Sequence, residues 1–94
     1  MVNQGVNPGS ELLDERALSK LRWRCRRGLL ENDLFIERFF ARHDADLTVG
    51  HARGMYALMD LADNDLLDLF LKRKSLSSEL ATQEVRQVLD MLLA

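Results

Sequence analysis

Trp23-Arg24-Cys25-Arg26-Arg27-Gly28-Leu29-Leu30-Glu31-Asn32-Asp33 is where one helical pattern stops and the next begins. Upstream, Leu18, Leu21 and Cys25 fall at i, i+3 and i+7, one apolar stripe of helical period. Downstream, Phe35 and Phe39 are four apart, as are Ile36 and Phe40, which gives a wide aromatic and aliphatic face. Gly28 stands between the two patterns, and glycine ends helices by accepting a left-handed backbone. The arginines before it suit the negative end of a helix dipole, and Glu31 and Asp33 after it suit the positive end of the next. The spacing predicts a first helix from near Leu13 to Arg27 and a second over roughly Leu30 to Arg42.

The pattern continues outward in helices. A polar link, His43 to Leu47, leads to Thr48, which is placed to cap a third helix running through Ala62 with Met55, Leu58, Met59 and Ala62 inward. Gly50 and Gly54 weaken that helix. Asp63-Asn64-Asp65 is a turn or N-cap signal that opens a short fourth helix with Leu66, Leu67, Leu69, Phe70 and Leu71. Lys72-Arg73-Lys74 closes it, where cations are favoured. Ser77 or Ser78 caps a last helix with Val85, Val88, Leu89 and Leu92 on one face. Residues 1–12, rich in Asn, Gln, Gly, Pro and Ser, are expected to be a flexible tail ahead of one helical domain, 13–94. The chain has 94 residues, a single proline and few β-branched residues, so the expected architecture is an all-α, single-domain bundle of five helices. A chain of this size buries only about 60–65% of its unfolded surface, so the core is small.

Charge is distributed unevenly. Arg16, Lys20, Arg22, Arg24, Arg26 and Arg27 crowd the first helix, while Glu31, Asp33, Glu37, Asp44, Asp46, Asp60, Asp63, Asp65 and Asp68 dominate the middle. The net charge of -2 argues against a general nucleic-acid binder. The one cysteine cannot close an internal disulfide, which points to a reducing compartment. No apolar run is long enough to cross a membrane, and the first fifteen residues lack the charged start and apolar centre of a signal peptide. A bacterial cytoplasm is the expected location.

Catalytic constellations are missing from this inventory. Arg24 and Arg26 would lower the pKa of a neighbouring thiol, yet Cys25 shares its stripe with Leu18 and Leu21 and reads as a buried structural thiol. His43 and His51 are too far apart for a single-turn metal pair and are assigned to loop and surface roles. Asp60, Asp63, Asp65 and Asp68 lack the glycine and the terminal glutamate of a calcium loop and read as a solvated acidic turn. There is no glycine loop to cradle phosphate. No metal site and no catalytic residue are expected.

What remains is Arg27, Gly28 and Glu31. As a purely structural corner it is a capping glycine flanked by an exposed ion pair worth about 0–1 kcal/mol. As a binding corner it sets a rigid donor fork beside a carboxylate, and glycine permits close backbone approach. Trp23 lies four residues before Arg27 on the same side of the helix, and Trp and Arg are enriched at interface hot spots. The expected partner-binding set is Arg27, Gly28 and Glu31, with Trp23, Arg26, Asp33, Asp63 and Asp65 secondary.

The pattern Trp-x-Cys-Arg-Arg-Gly-x-x-Glu-x-Asp, from Trp23 to Asp33, resembles the signature of the succinate dehydrogenase flavinylation (FAD assembly) factor family. Phe39-Phe40 resembles the family's aromatic pair, and Leu58-Met59-Asp60-x-x-Asp63-x-Asp65-Leu66 resembles its second block. The likeness covers roughly residues 17–92. Leu69 stands where the family usually carries tryptophan, and Asn64 where proline is common. The resemblance implies a small five-helix chaperone, not itself an enzyme. Such a protein binds the flavoprotein subunit of succinate dehydrogenase, or of fumarate reductase, and promotes covalent FAD attachment to a histidine of that subunit. It implies that FAD is associated through the client, with no cofactor held tightly, no nucleic-acid partner, no membrane insertion and a monomeric state. Two other binding classes compete from the residues alone. A helix-turn-helix regulator fits the basic first helix but has no basic recognition helix, and an antitoxin-type protein would pair with a small toxin.

Overall fold

The computed structural model describes residues 9–26 and 29–94. Five helices follow one another: α1 (Glu15–Arg24), α2 (Leu30–His43), α3 (Val49–Met59), α4 (Asp63–Phe70) and α5 (Gln83–Leu93). They enclose one core. Leu21 of α1, Phe39 of α2, Met55, Leu58 and Met59 of α3, Leu66 of α4, and Val88 and Leu92 of α5 are its largest fully buried apolar side chains, with Leu47 from the α2–α3 link. The five-helix architecture expected from the periodicity is the one observed.

The first helix is shorter than its apolar stripe implies. Asp14 caps it, its carboxylate accepting from Ala17 N–H at 2.7 Å. It ends at Arg24, with Cys25 as the C-cap. The final turn tightens: Cys25 N–H reaches Arg22 O as well as Leu21 O, and Arg26 N–H reaches Trp23 O. The helix therefore stops before the glycine expected to end it. Arg27 and Gly28 lie outside the described residues. Cys25 is fully buried, as its place on the Leu18–Leu21 stripe predicts.

Gly9–Leu13, just ahead of α1, bind the start of α3. Leu13 N–H donates to Leu47 O, Leu12 and Thr48 form an antiparallel bridge, and Val49 and Gly50 N–H donate to Glu11 O and Gly9 O. The strand-like strap Gly9–Leu13 thus satisfies backbone donors at the exposed start of α3, which a helix N-terminus leaves open. Gly9 bends into it at φ +93°, a conformation other residues resist. Gly9–Leu12, the described part of the segment expected to be a tail, carry these contacts, and residues 1–8 lie outside the described residues.

Thr48 caps α3 as expected, but in a reciprocal box. Its Oγ1 accepts from His51 N–H, and its own N–H donates to His51 Nδ1 at 3.1 Å. His51 is therefore a helix residue with a structural role, and His43 closes α2 half-buried, its ring 5.6 Å from that of Phe39. Neither sits in the loop expected for it. α3 ends at Met59, so Ala62 is not an inward residue of that helix; it is exposed at the start of α4. The acidic run Asp63–Asp65 forms the first turn of α4 itself.

Gly54 marks where α3 and α5 meet. A Cβ there would sit 2.6 Å from the Glu84 carbonyl, so the close approach requires glycine. Arg53 then clamps Glu84 through Nε and Nη2, at 3.1 and 2.7 Å. This pair holds the Glu84 carboxyl below the usual range. α5 starts later than expected: Thr82 Oγ1 caps it through Val85 N–H. Ser77 caps only an isolated turn through Leu80 N–H.

Candidate functional site

The corner between α1 and α2 gathers the residues that carried the sequence signal. Three arginines of the first segment, Arg22, Arg24 and Arg26, fall on or just after α1's last turn among the described residues. Two of them have structural partners. Arg22 pairs with Asp44 at 3.2 Å and lies 5.3 Å over the Phe40 ring. Arg24 pairs with Asp60 at 2.9 Å. Asp44 and Asp60 are the C-caps of α2 and α3, where the helix dipole disfavours carboxylates, so each arginine neutralises an awkward acid. Both pairs are exposed and worth about 0–1 kcal/mol each. Much of the arginine crowding is thus explained by the fold.

Arg26 is different. It is exposed, and no ion pair or hydrogen bond joins its side chain to another described residue. With Trp23 it forms one wall of an open cleft of about 600 Å³ between α1 and α2; Asp33 and Glu37 form the other, and Cys25, Ile36 and Phe40 lie at its base. The cleft exists because α1 packs chiefly on α3, leaving the neighbouring face of α2 uncovered. Trp23 is 74% exposed, the most exposed large apolar side chain among the described residues. Exposing an indole to water is unfavourable unless something covers it in use.

Glu31 stands outward in the first turn of α2, and it is not among the residues lining the cleft. Leu30 and Leu34, at 67% and 60% exposure, form an apolar ridge beside it. Sequence reasoning passed over this ridge. An i, i+4 leucine pair off the Ile36–Phe39 core face was the available signal. Trp23, Arg26 and Asp33 are therefore brought to one cleft, while Glu31 stands outside its lining with the leucines. Arg27 and Gly28 lie outside the described residues, so their part in the corner rests on sequence.

Asp63 and Asp65 separate. Asp65 pairs with Lys74 at 3.2 Å, at the mouth of a smaller pocket of about 220 Å³ between α4 and the segment after it. Asp63 is half-buried against α2. Its carbonyl accepts from Asn32 Nδ2 at 3.0 Å, and Asn32 is the one buried polar or charged side chain of the described residues. Nearby, Phe35 stacks on Phe70 with centroids 4.7 Å apart. These two contacts fasten the first half of α2 to α4. Nothing in the sequence marked Asn32, since its partner is 31 residues away.

No group of three or more His, Cys, Asp or Glu side chains that could hold a metal occurs among the described residues. No helix among them is long and apolar enough to cross a membrane. The corner offers an exposed aromatic, an arginine, carboxylates and a leucine ridge on two helix ends. That combination is equipped to grip a protein surface.

Known proteins resemble the chain over most of its length. It is 46% identical over 81 residues to the FAD assembly factor SdhE of Ralstonia nicotianae, covering 86% of this chain and 85% of that one. It is 40% identical over 55 residues to the protein of the same name in Coxiella burnetii, 58% of this chain and 67% of that one. The same name attaches to a Legionella pneumophila protein, 37% identical over 54 residues, 57% of this chain and 68% of that one. No solved structure matches the chain. The Sdh5 family model, described as flavinator of succinate dehydrogenase, matches residues 19–94, which include the whole α1–α2 corner, the cleft and α4; the chain belongs to that family.

Proposed function

We propose that this chain is a cytoplasmic assembly factor that binds the flavoprotein subunit of succinate dehydrogenase, or of fumarate reductase, and promotes that subunit's covalent attachment of FAD. The observation that carries the reading is the outward set of side chains at the α1–α2 corner. Trp23 and Leu30 stand exposed on the two helix ends that flank the Arg-Gly-x-x-Glu motif, with Arg26 and Glu31 beside them. An aromatic anchor ringed by charged groups is the anatomy of a protein-docking patch. The charge on α2 also disfavours the nucleic-acid alternative. Glu31, Asp33 and Glu37 outnumber Arg38 and Arg42 on the helix that would have to enter a groove.

On this reading the protein holds the client in an arrangement competent for flavinylation, and the bond-making belongs to the flavin and the client's histidine. Arg27 and Glu31 provide the charged contacts, Gly28 allows close approach, and Trp23 provides buried area. Arg26 and Asp33 line the adjoining cleft.

Co-expression with the client and in-gel flavin fluorescence tests the reading. Glu31→Ala and Gly28→Arg are each expected to leave the client weakly fluorescent while remaining soluble and helical. Client fluorescence equal to that with the wild-type protein would remove the corner from the mechanism. FAD reaches this chain only through the client on this reading. Titrating FAD into the purified protein should therefore leave emission from its single tryptophan unchanged beyond inner-filter absorption. Saturable quenching would show direct binding.

A further inference from the structure

Asn32 fills an unspecified position of the motif, between Glu31 and Asp33, yet it is wholly buried at the point where the motif-bearing turn meets another helix. Two features make this position unusual. Its Oδ1 is buried without a hydrogen-bond partner among the described residues. Such an atom lowers stability, and an apolar side chain of similar size would avoid the cost. Its Nδ2 makes one long-range bond, to the Asp63 carbonyl. A carbonyl in the first turn of a helix already receives an intrahelical N–H, so this acceptor does not need Asn32 for satisfaction.

Neither of the helix ends it joins has a capping side chain. Leu29 at the start of α2 and Ala62 at the start of α4 provide no side-chain cap. α1, α3 and α5 all start with a capping side chain, from Asp14, Thr48 and Thr82. The Asn32–Asp63 bond is therefore a directional link between two uncapped ends, one of which carries Glu31. The Phe35–Phe70 stack lies one turn further along and restrains the helices without fixing their rotation as a hydrogen bond does.

We propose that Asn32 is the positioning residue of the docking corner: its hydrogen bond to Asp63 fixes where the first turn of α2, and so Glu31, stands relative to α4 when the client binds. The inference rests on the proposed function above. It predicts a separation of stability from activity. A polar group kept for placement costs stability, and its apolar replacement restores stability at the expense of placement.

The test uses the full chain, purified client subunit lacking covalent flavin, and FAD. Flavinylation is followed against increasing concentrations of wild type, Asn32→Leu and Glu31→Ala, with thermal melts of each. Asn32→Leu is expected to melt at or above the wild-type temperature. The concentration needed for half-maximal flavinylation is expected to rise on the order of tenfold, with the maximum approached at saturation. A merely structural role would lower the melting temperature and leave the dose dependence of the folded protein unchanged. If Asn32→Leu does not fold, Asn32→Ser is assayed at a temperature where its helical signal is complete, with the same displacement expected. A wild-type dose curve from either folded variant overturns the inference. So does a displaced curve for Asn32→Leu beside a normal one for Glu31→Ala, because Asn32 would then not act through Glu31. Wild-type protein that gives no flavinylation above the client alone fails the proposed function itself, a distinct result.

Discussion

The α3–α5 face and the α1–α2 corner are built on opposite rules. At the first, Gly54 lets two helices touch at the backbone, Arg53 clamps Glu84, and the strap Gly9–Leu13 covers the helix start. At the second, a cleft stays open, Trp23 and two leucines face solvent, and α2 begins without a side-chain cap. Close packing there and exposed apolar surface here divide the molecule into a half that maintains the fold and a half that, on the proposed function, meets a partner. A domain this small has little stability to spare, so the exposed corner depends on the tight face behind it.

Breaking the tight face should give the largest effect. Gly54→Ala drives a methyl group against the backbone of Glu84, which cannot move aside as a side chain tip does. A loss of about 3 kcal/mol is expected by overpacking, read by urea denaturation. Flavinylation by the fraction still folded should be normal. A variant as stable as wild type would show that the α3–α5 contact is looser than its geometry states. Trp23→Ala probes the other half. Client affinity should weaken by about 2 kcal/mol, the scale of an interface hot spot, while the melting temperature stays unchanged because the indole covers little of the core. Titration of immobilised client measures the first quantity, and a fall in melting temperature would assign Trp23 to the fold instead.

The smallest effect is on pH. Burial, and secondarily the nearby His43, lowers the pKa of His51 from the ordinary value of 6.5. The direction fits its geometry, since Nδ1 accepts from Thr48 N–H and must be unprotonated to do so. The unfolded chain then takes up the proton at higher pH than the folded one. The stabilisation is present above about pH 6.5 and is lost as pH falls toward the lower folded value. His51→Gln keeps an acceptor for the capping box. It should flatten the dependence of stability on pH between 7 and 5 without changing the dose of protein needed for flavinylation at pH 7.5.

How far sequence reached follows the same division. α2 was legible because its core face and its first-turn acids both belong to one short stretch. Thr48 was legible as a cap, yet His51 as its reciprocal partner was not, because imidazole is an uncommon third-position acceptor. Ser77 does cap a turn, but the helix waits for Thr82, since no apolar face begins until Val85. Gly50 and Gly54 read as weaknesses of α3 and prove to be its contact with α5, which only the tertiary partner reveals. Arg22 and Arg24 stood in the sequence only as part of a basic cluster, because their partners Asp44 and Asp60 come from distant segments. The exposed positions of Trp23 and Glu31 could be read from residue types unusual at those places, whereas Asn32 is ordinary in composition and special only in its surroundings.

Cys25 gives the corner a built-in clock. It is the only thiol of the chain, wholly buried beneath the cleft and one residue past the end of α1. An alkylating reagent can reach it only when α1 swings away from α3 or the core opens. Its labelling rate, set beside the global unfolding rate, therefore times the opening of the helix that carries Trp23. Client binding that stills this motion would appear as protection of a single sulfur atom, without any probe added to the exposed corner.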